Sequence, residues 1–254
     1  MSQSSPLPRI ACFHGGGSNA SIYEIQCGFL SSLLSDTFQL EFFDAPFTRS
    51  AGPGVLPAFA GYGPYKSWFD PEASIDQDHD RRDGSGYDVA GRDGVERVWR
   101  LMQERSGAGE WVGVMGFSQG TRMAGGLLLD QQRREKWACN GVDSNGDGEA
   151  KVKAAGRPKL KFGVLCMGGG APMESEVRFK LKEPDNVIRI PTLHMHGLKD
   201  EYLQYGREQM AKYYDPATTT LYEINYHHAM PWVRAEAEEL ARQIKELYQK
   251  TKDQ

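Results

Sequence analysis

Three residues of this chain have the types and surroundings needed for nucleophilic catalysis: Ser118, Asp200 and His228. A serine hydroxyl is a weak nucleophile at neutral pH, so it needs a base within hydrogen-bond distance. A histidine can take up the proton and return it to the leaving group, and an aspartate can hold the imidazole in the required tautomer. Together the three side chains could cleave an ester or a thioester through an acyl-enzyme.

Ser118 lies at the centre of a Gly-Phe-Ser-Gln-Gly segment, between an apolar run at 112–117 and a helix-like run at 123–129. A serine at a sharp turn from strand to helix is the context that a nucleophile elbow requires. Gly116 and Gly120 lack Cβ atoms, which allows the chain to pass close to itself there. A chance pentapeptide in a chain with 29 glycines is the alternative, but the preceding strand favours the nucleophile.

A second glycine-rich segment, His14-Gly15-Gly16-Gly17, follows the apolar run 9–13. Bare N–H groups at the end of a strand can stabilise the oxyanion of an acyl-transfer intermediate. We predict an oxyanion hole formed by the backbone N–H groups of Gly16 and Gln119. An ordinary glycine turn is the alternative; neither phosphate-loop pattern can be written onto this segment.

The acid and the base each have alternatives in the sequence. Asp215 lies in a turn before the last predicted strand, and Glu201 is next to Asp200. His227 precedes His228 and is the second choice of base. His194 and His196 alternate along a predicted strand and could point to one face, but no third ligand with zinc-like spacing is apparent. We therefore predict packed histidines there and no metal site.

Strand and helix patterns alternate along the chain, which predicts a doubly wound, mostly parallel α/β sheet with helices on both faces. In such sheets reactive groups gather at the carboxyl ends of the strands. The order Ser, then Asp, then His is that of the α/β-hydrolase fold. No linker divides the chain, so we expect one domain over residues 1–254. A capping-box pattern at Ser21 and Glu24 predicts a helix that continues to Leu34.

Two stretches lack regular periodicity. Residues 46–85 are rich in aromatic residues and proline, which predicts an ordered lid-like loop with an apolar lining. Packing of these aromatics on the core is the alternative. We expect the substrate to contact Tyr65, Trp68, Phe69 and, near the histidine, Met230. The second stretch, 138–157, contains a partial EF-hand pattern, but Ala154 stands where a glutamate ligand is needed, so we predict a polar loop.

Composition restricts the compartment and the partners. The net charge of −4 gives no reason to expect nucleic acid or an anionic membrane as partner. The first eight residues lack a secretory signal, and no run approaches the ~20 apolar residues of a membrane span. The four cysteines show no Cys-x-x-Cys spacing and are predicted to be free thiols. These features predict a cytoplasmic protein.

Several segments together resemble the fungal family of serine hydrolases within the α/β-hydrolase superfamily. They are the elbow and, elsewhere in the chain, Phe13-His14-Gly15-Gly16-Gly17-Ser18-Asn19-Ala20, Asp44-Ala45-Pro46-Phe47, Gly63-Pro64-Tyr65-Lys66-Ser67-Trp68-Phe69, the run 191–200 that ends in Gly197-Leu198-Lys199-Asp200, and His228-Ala229-Met230-Pro231. The resemblance covers nearly the whole chain. Where the family has Gly-Gly-His-x-x-Pro, this chain has Tyr226-His227-His228-Ala229-Met230-Pro231, so the proline register selects His228.

The Asp-Ala-Pro-Phe and Gly-Pro-Tyr-x-Ser-Trp elements are similar to those of polyketide-cluster thioesterases and esterases of the lovastatin-thioesterase type. That resemblance implies hydrolysis of a thioester on an acyl carrier protein, without a cofactor. A general short-chain carboxylesterase is the main alternative. An acyltransferase that excludes water, or a binding protein on a hydrolase scaffold, are lesser ones. The sequence makes no prediction of oligomeric state.

Overall fold

The computed structural model describes residues 5–69, 94–139, 157–175 and 186–252, with side chains in the second range up to residue 136. Eight strands lie within these ranges. They are β1 Arg9–Phe13, β2 Gln39–Phe43, β3 Phe47–Arg49, β4 Tyr65–Ser67, β5 Trp111–Phe117, β6 Phe162–Cys166, β7 Thr192–Gly197 and β8 Thr219–Ile224. Six of them form one sheet in the order β2-β1-β5-β6-β7-β8, and every neighbouring pair is parallel.

The helices of the described ranges are α1 Ala20–Gln26, α2 Gly28–Leu34, α3 Gly94–Glu104, α4 Gly120–Cys139, α5 Leu203–Tyr213 and α6 Arg234–Thr251. Parallel strands need crossover connections, and the described helices lie in those from β1 to β2, from β5 to β6 and from β7 to β8, with α3 directly before β5. Alternate residues of β1 enter different clusters: Ile10 packs with side chains of α1, α2 and α6, and Ala11 with side chains of α3 and α4. The sheet is therefore covered on both faces, as the alternating pattern predicts.

The strand register places the ends of the central strands side by side. Phe13 is paired with Gly116, and Phe117 with Cys166. Strand order reverses direction between β1 and β5, which is the position where open α/β sheets bind their ligands. The His14–Gly17 loop, the Ser118 turn and the chain after β6 therefore leave the sheet at one edge. Gly197 is paired with Ile224, so the loops that carry Asp200 and His228 also emerge next to each other.

The predicted helix over 21–34 is two helices, because the chain turns at Cys27. Its cap is Asn19, whose side-chain oxygen accepts a hydrogen bond from the Ile22 N–H at 2.9 Å; the predicted cap at Ser21 was wrong. In one continuous helix, Ile25 and Phe29 are predicted to lie on the apolar face, but both side chains are more than half exposed.

The predicted irregular stretch 46–85 contains regular structure in its described part. β3 and β4 form a two-stranded antiparallel hairpin in which Thr48 is paired with Lys66. Three-residue strands with exposed polar positions carry too weak a pattern to be read from the sequence. Residues 70–85 and the partial EF-hand at 143–149 lie outside the described residues. In the described part of the chain, no helix is long and apolar enough to cross a lipid bilayer.

Candidate active site

Ser118 lies in the turn between β5 and α4 with a φ of 51°, a conformation that non-glycine residues rarely adopt. Its N–H donates to the Cys166 carbonyl at 2.9 Å, and the Thr121 hydroxyl donates to the Ser118 carbonyl at 2.7 Å. A Cβ on Gly116 would overlap the Gly120 carbonyl across the turn, and a Cβ on Gly120 would overlap the Phe13 carbonyl at the end of β1. These contacts hold the strained serine backbone at the end of the sheet, where its side chain lines a cavity.

His228 and Asp200 form a hydrogen-bonded pair, with 2.7 Å between Nδ1 of the imidazole and Oδ2 of the carboxylate. The second carboxylate oxygen accepts from the Tyr202 N–H at 2.8 Å. The Asp200 side chain is 2% exposed and that of His228 is 20% exposed. A buried carboxylate that accepts a ring N–H fixes the tautomer, which leaves Nε2 able to accept a proton.

Two aromatic rings restrict the orientation of the His228 imidazole. The Phe117 ring lies 5.1 Å from it, centroid to centroid, and the Tyr202 ring lies 5.0 Å from it in an edge-on arrangement. Phe117 precedes Ser118, and Tyr202 follows Asp200 by two residues. The residue before Ser118 and a residue just after Asp200 therefore both pack against the His228 ring and hold it in place.

The alternative residues have other surroundings. His227 is exposed, and its Nδ1 lies 3.1 Å from the Lys199 carbonyl. Asp215 precedes β8, at the opposite end of that strand from His228, and its carboxylate accepts from the Ala217 N–H. Glu201 is exposed. The geometry therefore favours Asp200 and His228 over these three residues.

His14 organises the glycine loop after β1. It is fully buried, its Nδ1–H donates to the Gly15 carbonyl at 2.7 Å, and its Nε2 accepts from the Ala45 N–H at 3.1 Å. Burial lowers the pKa of His14 to about 4, so the ring is neutral at pH 7.

The backbone of the glycine loop is also unusual, because Gly17 adopts a φ of 73°. Neither Gly16 nor Gln119 uses its N–H in a backbone hydrogen bond within the described loops and turns.

The four positions named for acyl transfer surround one cavity of about 420 Å³, which is lined by Ser118, His228, Gly16 and Gln119. The remaining lining is mostly aromatic or glycine, with two arginines, and includes Phe69, Phe117, Tyr202, Tyr205, Gly168, Gly169, Gly170, Arg49 and Arg122. Asp200 does not line the cavity and reaches it only through its hydrogen bond to His228. The cavity can therefore admit a carbonyl carbon beside a serine, a histidine and two backbone N–H groups.

The predicted substrate contacts divide between the cavity and the core. Phe69 lines the cavity, whereas Trp68 and Met230 are 1% and 4% exposed and belong to the hydrophobic core. The Trp68 indole N–H donates to the His14 carbonyl at 2.8 Å. The Tyr65 hydroxyl donates to the Phe59 carbonyl. None of these three side chains lines the cavity: Trp68 and Met230 pack in the core, and Tyr65 is half-buried beside Phe59.

Several residues that line the cavity are not predicted from the sequence. Arg122 donates from Nε to the Ala171 carbonyl at 2.6 Å, and its guanidinium carbon lies 4.3 Å from the centre of the Phe69 ring. Met167, with a φ of 50°, begins the glycine-rich wall of 168–170. The run of three glycines after a buried strand was a visible signal for that wall. Arg122 gave no signal, because its partners lie about fifty residues away in either direction.

Among the described residues, two further histidines and three cysteines are buried away from the cavity. Burial lowers the pKa of His194 to about 3, and His196 lies beside it in the interior. Cys12, Cys27 and Cys166 are free and buried, and burial raises the pKa of the Cys12 and Cys27 thiols. Within the described ranges, no group of three or more His, Cys, Asp or Glu side chains could hold a metal ion.

The chain is similar to known proteins both in sequence and in structure. The chain is 36% identical over 250 residues to a protein named "Probable esterase azaC" from Aspergillus niger, covering 96% of this chain and 87% of that one. It is 34% identical to "Esterase pigG" from Monascus ruber, covering 89% and 85%. The crystal structure of Zea mays acyl-protein thioesterase 2 matches with a TM-score of 0.54 at 18% identity, covering 96% of this chain and 95% of that one.

The structural match supports the α/β-hydrolase fold, and the two curated relatives support hydrolytic chemistry. The family model described as "Serine hydrolase (FSH1)" matches residues 1–240, nearly the full chain. The chain therefore belongs to the FSH1 serine hydrolase family and is a hydrolytic enzyme of the esterase or thioesterase type.

Proposed function

We propose that Ser118, His228 and Asp200 form the catalytic triad of an enzyme that hydrolyses an acyl thioester or ester through an acyl-enzyme. The observation that carries this proposal is the buried His228–Asp200 hydrogen bond, made at the cavity that the strained Ser118 also lines. Strain at one residue and a fixed imidazole beside the same cavity are what a nucleophile and its base require.

In the proposed reaction, Oγ of Ser118 attacks the carbonyl carbon while Nε2 of His228 accepts the hydroxyl proton. The oxyanion of the tetrahedral intermediate accepts hydrogen bonds from the N–H groups of Gly16 and Gln119. Collapse of the intermediate breaks the bond to the leaving group, which takes the proton from His228. A water molecule then attacks the acyl-enzyme by the same route, and a carboxylic acid and free Ser118 result.

We propose that the natural substrate is a polyketide or related acyl chain carried as a thioester on an acyl carrier protein. The cavity supports this choice through its aromatic and glycine lining, which suits an apolar acyl group. Curated relatives at 30–36% identity are named esterases, and one structural neighbour is named from a colibactin NRPS/PKS pathway. Docking of a carrier protein is part of the proposal, because the thioester must reach the open mouth of the cavity.

The test compares pantetheine and carrier-protein thioesters with short p-nitrophenyl esters, using wild type and Ser118→Ala. We expect Ser118→Ala to lose turnover of both substrate types, and Ser35→Ala, an exposed serine, to keep it. Higher kcat/KM for the carrier thioesters supports the release function. Higher kcat/KM for the short esters favours a general carboxylesterase, and wild-type turnover by Ser118→Ala would refute the mechanism.

A further inference from the structure

The side chain of Gln119 makes contacts that the proposed reaction does not use. Its Oε1 accepts a hydrogen bond from the Trp68 N–H at 2.9 Å, and its Nε2 donates to the Ser67 hydroxyl oxygen at 3.2 Å. The elbow is thereby joined to the end of β4, which lies some fifty residues earlier in the chain. A partly buried amide with a backbone donor on one atom and a hydroxyl on the other has a single preferred orientation.

The Gln119 amide also packs against Gly16. A Cβ placed on Gly16 would lie 3.2 Å from Cδ, Nε2 and Oε1 of Gln119 alike. Equal distances to three amide atoms mean that the Gly16 backbone rests on the face of the amide group. A Cβ at this distance would be tighter than ordinary van der Waals contact, so a side chain at position 16 would displace the amide by a few tenths of an ångström.

β4 holds the rest of the oxyanion loop through the backbone. The Gly17 N–H donates to the Lys66 carbonyl at 2.7 Å, and the Lys66 N–H donates to the Ser18 carbonyl at 2.6 Å. The Trp68 indole N–H adds the bond to the His14 carbonyl described above. The loop is therefore held by hydrogen bonds to β4 and Trp68 and by its contact with the Gln119 amide.

We propose that the Gln119 side chain is a positioning residue, which fixes the Gly16 N–H relative to the N–H of Gln119 itself. The inference rests on the proposed function, in which these two groups bind the oxyanion. Oxyanion donors act strongly because they are in place before the charge develops. Loss of the amide would leave both N–H groups present but would allow the Gly16 loop to shift.

The test is Gln119→Leu, which keeps the side-chain size and the backbone N–H but removes both polar atoms. We expect kcat to fall by ~10- to 100-fold with KM within ~3-fold, since misplacement costs less than deletion of a donor. Affinity for a trifluoromethyl ketone, which forms an oxyanion on Ser118, should fall by the same factor as kcat. Affinity for the carboxylic acid product should stay within ~3-fold, because it forms no tetrahedral adduct.

Gln131→Leu is the matched control. Gln131 lies on α4, the helix that begins directly after Gln119, but away from the cavity lining, and its Oε1 accepts from the Leu160 N–H at 2.8 Å. We expect it to lower the melting temperature without changing kcat or the ketone affinity. Ser67→Ala removes one hydrogen-bond partner of Gln119 and should lower kcat by less than Gln119→Leu. Its kcat tests the same role if Gln119→Leu does not fold.

Wild-type kcat in Gln119→Leu, or equal losses of affinity for the ketone and the product, would overturn the positioning role. If Gln119→Leu does not fold, wild-type kcat in Ser67→Ala overturns it. Failure of the proposed function is a separate result, because it is read from Ser118→Ala with the Gln119 side chain intact.

Discussion

Among single residues, the site depends on Phe117 and Tyr202, which lie near Ser118 and Asp200 in the chain and pack against the His228 ring. Ser118, Asp200 and His228 could be selected from the sequence, because each follows a predicted strand and glycine patterns mark the turn. Tyr202 and Arg122 could not be selected, since their roles come from a ring contact with His228 and a hydrogen bond to Ala171. Such contacts join residues that no local pattern relates.

Asp200→Asn should lower kcat by ~10³- to 10⁴-fold while leaving the fold intact, because an amide no longer selects the productive imidazole tautomer. Steady-state kinetics with a p-nitrophenyl ester measure the effect. Asp215→Asn is the matched change at an acid remote from His228 and should leave kcat unaffected. Equal losses in both variants would show that the carboxylate of Asp200 has no special role.

At the scale of elements, the parallel sheet brings four loops together at one edge. The alternation of strands with helices was predictable, because buried strands and amphipathic helices carry strong periodicity. The β3–β4 hairpin was not, because its strands are three residues long. The Gly17 N–H and the Ser18 carbonyl are hydrogen-bonded to Lys66 of that hairpin, so the least predictable element supports the loop of the proposed oxyanion hole.

Gly120→Ala should destabilise the protein by several kcal/mol and abolish activity, because the new Cβ would overlap the Phe13 carbonyl and neither backbone can move away. Gly28→Ala is the matched control at the start of α2, where a Cβ would meet no atom within 4 Å. We expect that change to be neutral or to stabilise by up to ~1 kcal/mol. Urea unfolding of the two variants provides the comparison, and equal midpoints would contradict the account of the turn.

At the scale of the whole molecule, buried histidines link folding to pH. Burial holds the pKa of His14 at about 4 and that of His194 at about 3, below the 6.5 of an exposed histidine. Between these values and pH 6.5 the unfolded chain binds more protons than the folded protein. Folding free energy is therefore lost as pH falls through this interval.

Near pH 5 each of the two histidines should contribute a slope of about 1.4 kcal/mol per pH unit to the free energy of unfolding. Urea unfolding at several pH values from 7 to 4.5 measures the slope. His194→Phe retains an aromatic ring at that position and should reduce the slope by about the contribution of one proton. An unchanged slope in this variant would mean that His194 is already protonated in the folded protein.

Reaction with a fluorophosphonate measures whether His228 makes the Ser118 hydroxyl reactive. Peptide mapping by mass spectrometry should find the label on Ser118 in wild type. We expect His228→Gln to slow labelling by ~100-fold or more, while His227→Gln reacts at the wild-type rate. Label on another residue, or loss of reactivity in His227→Gln with wild-type labelling of His228→Gln, would contradict the account.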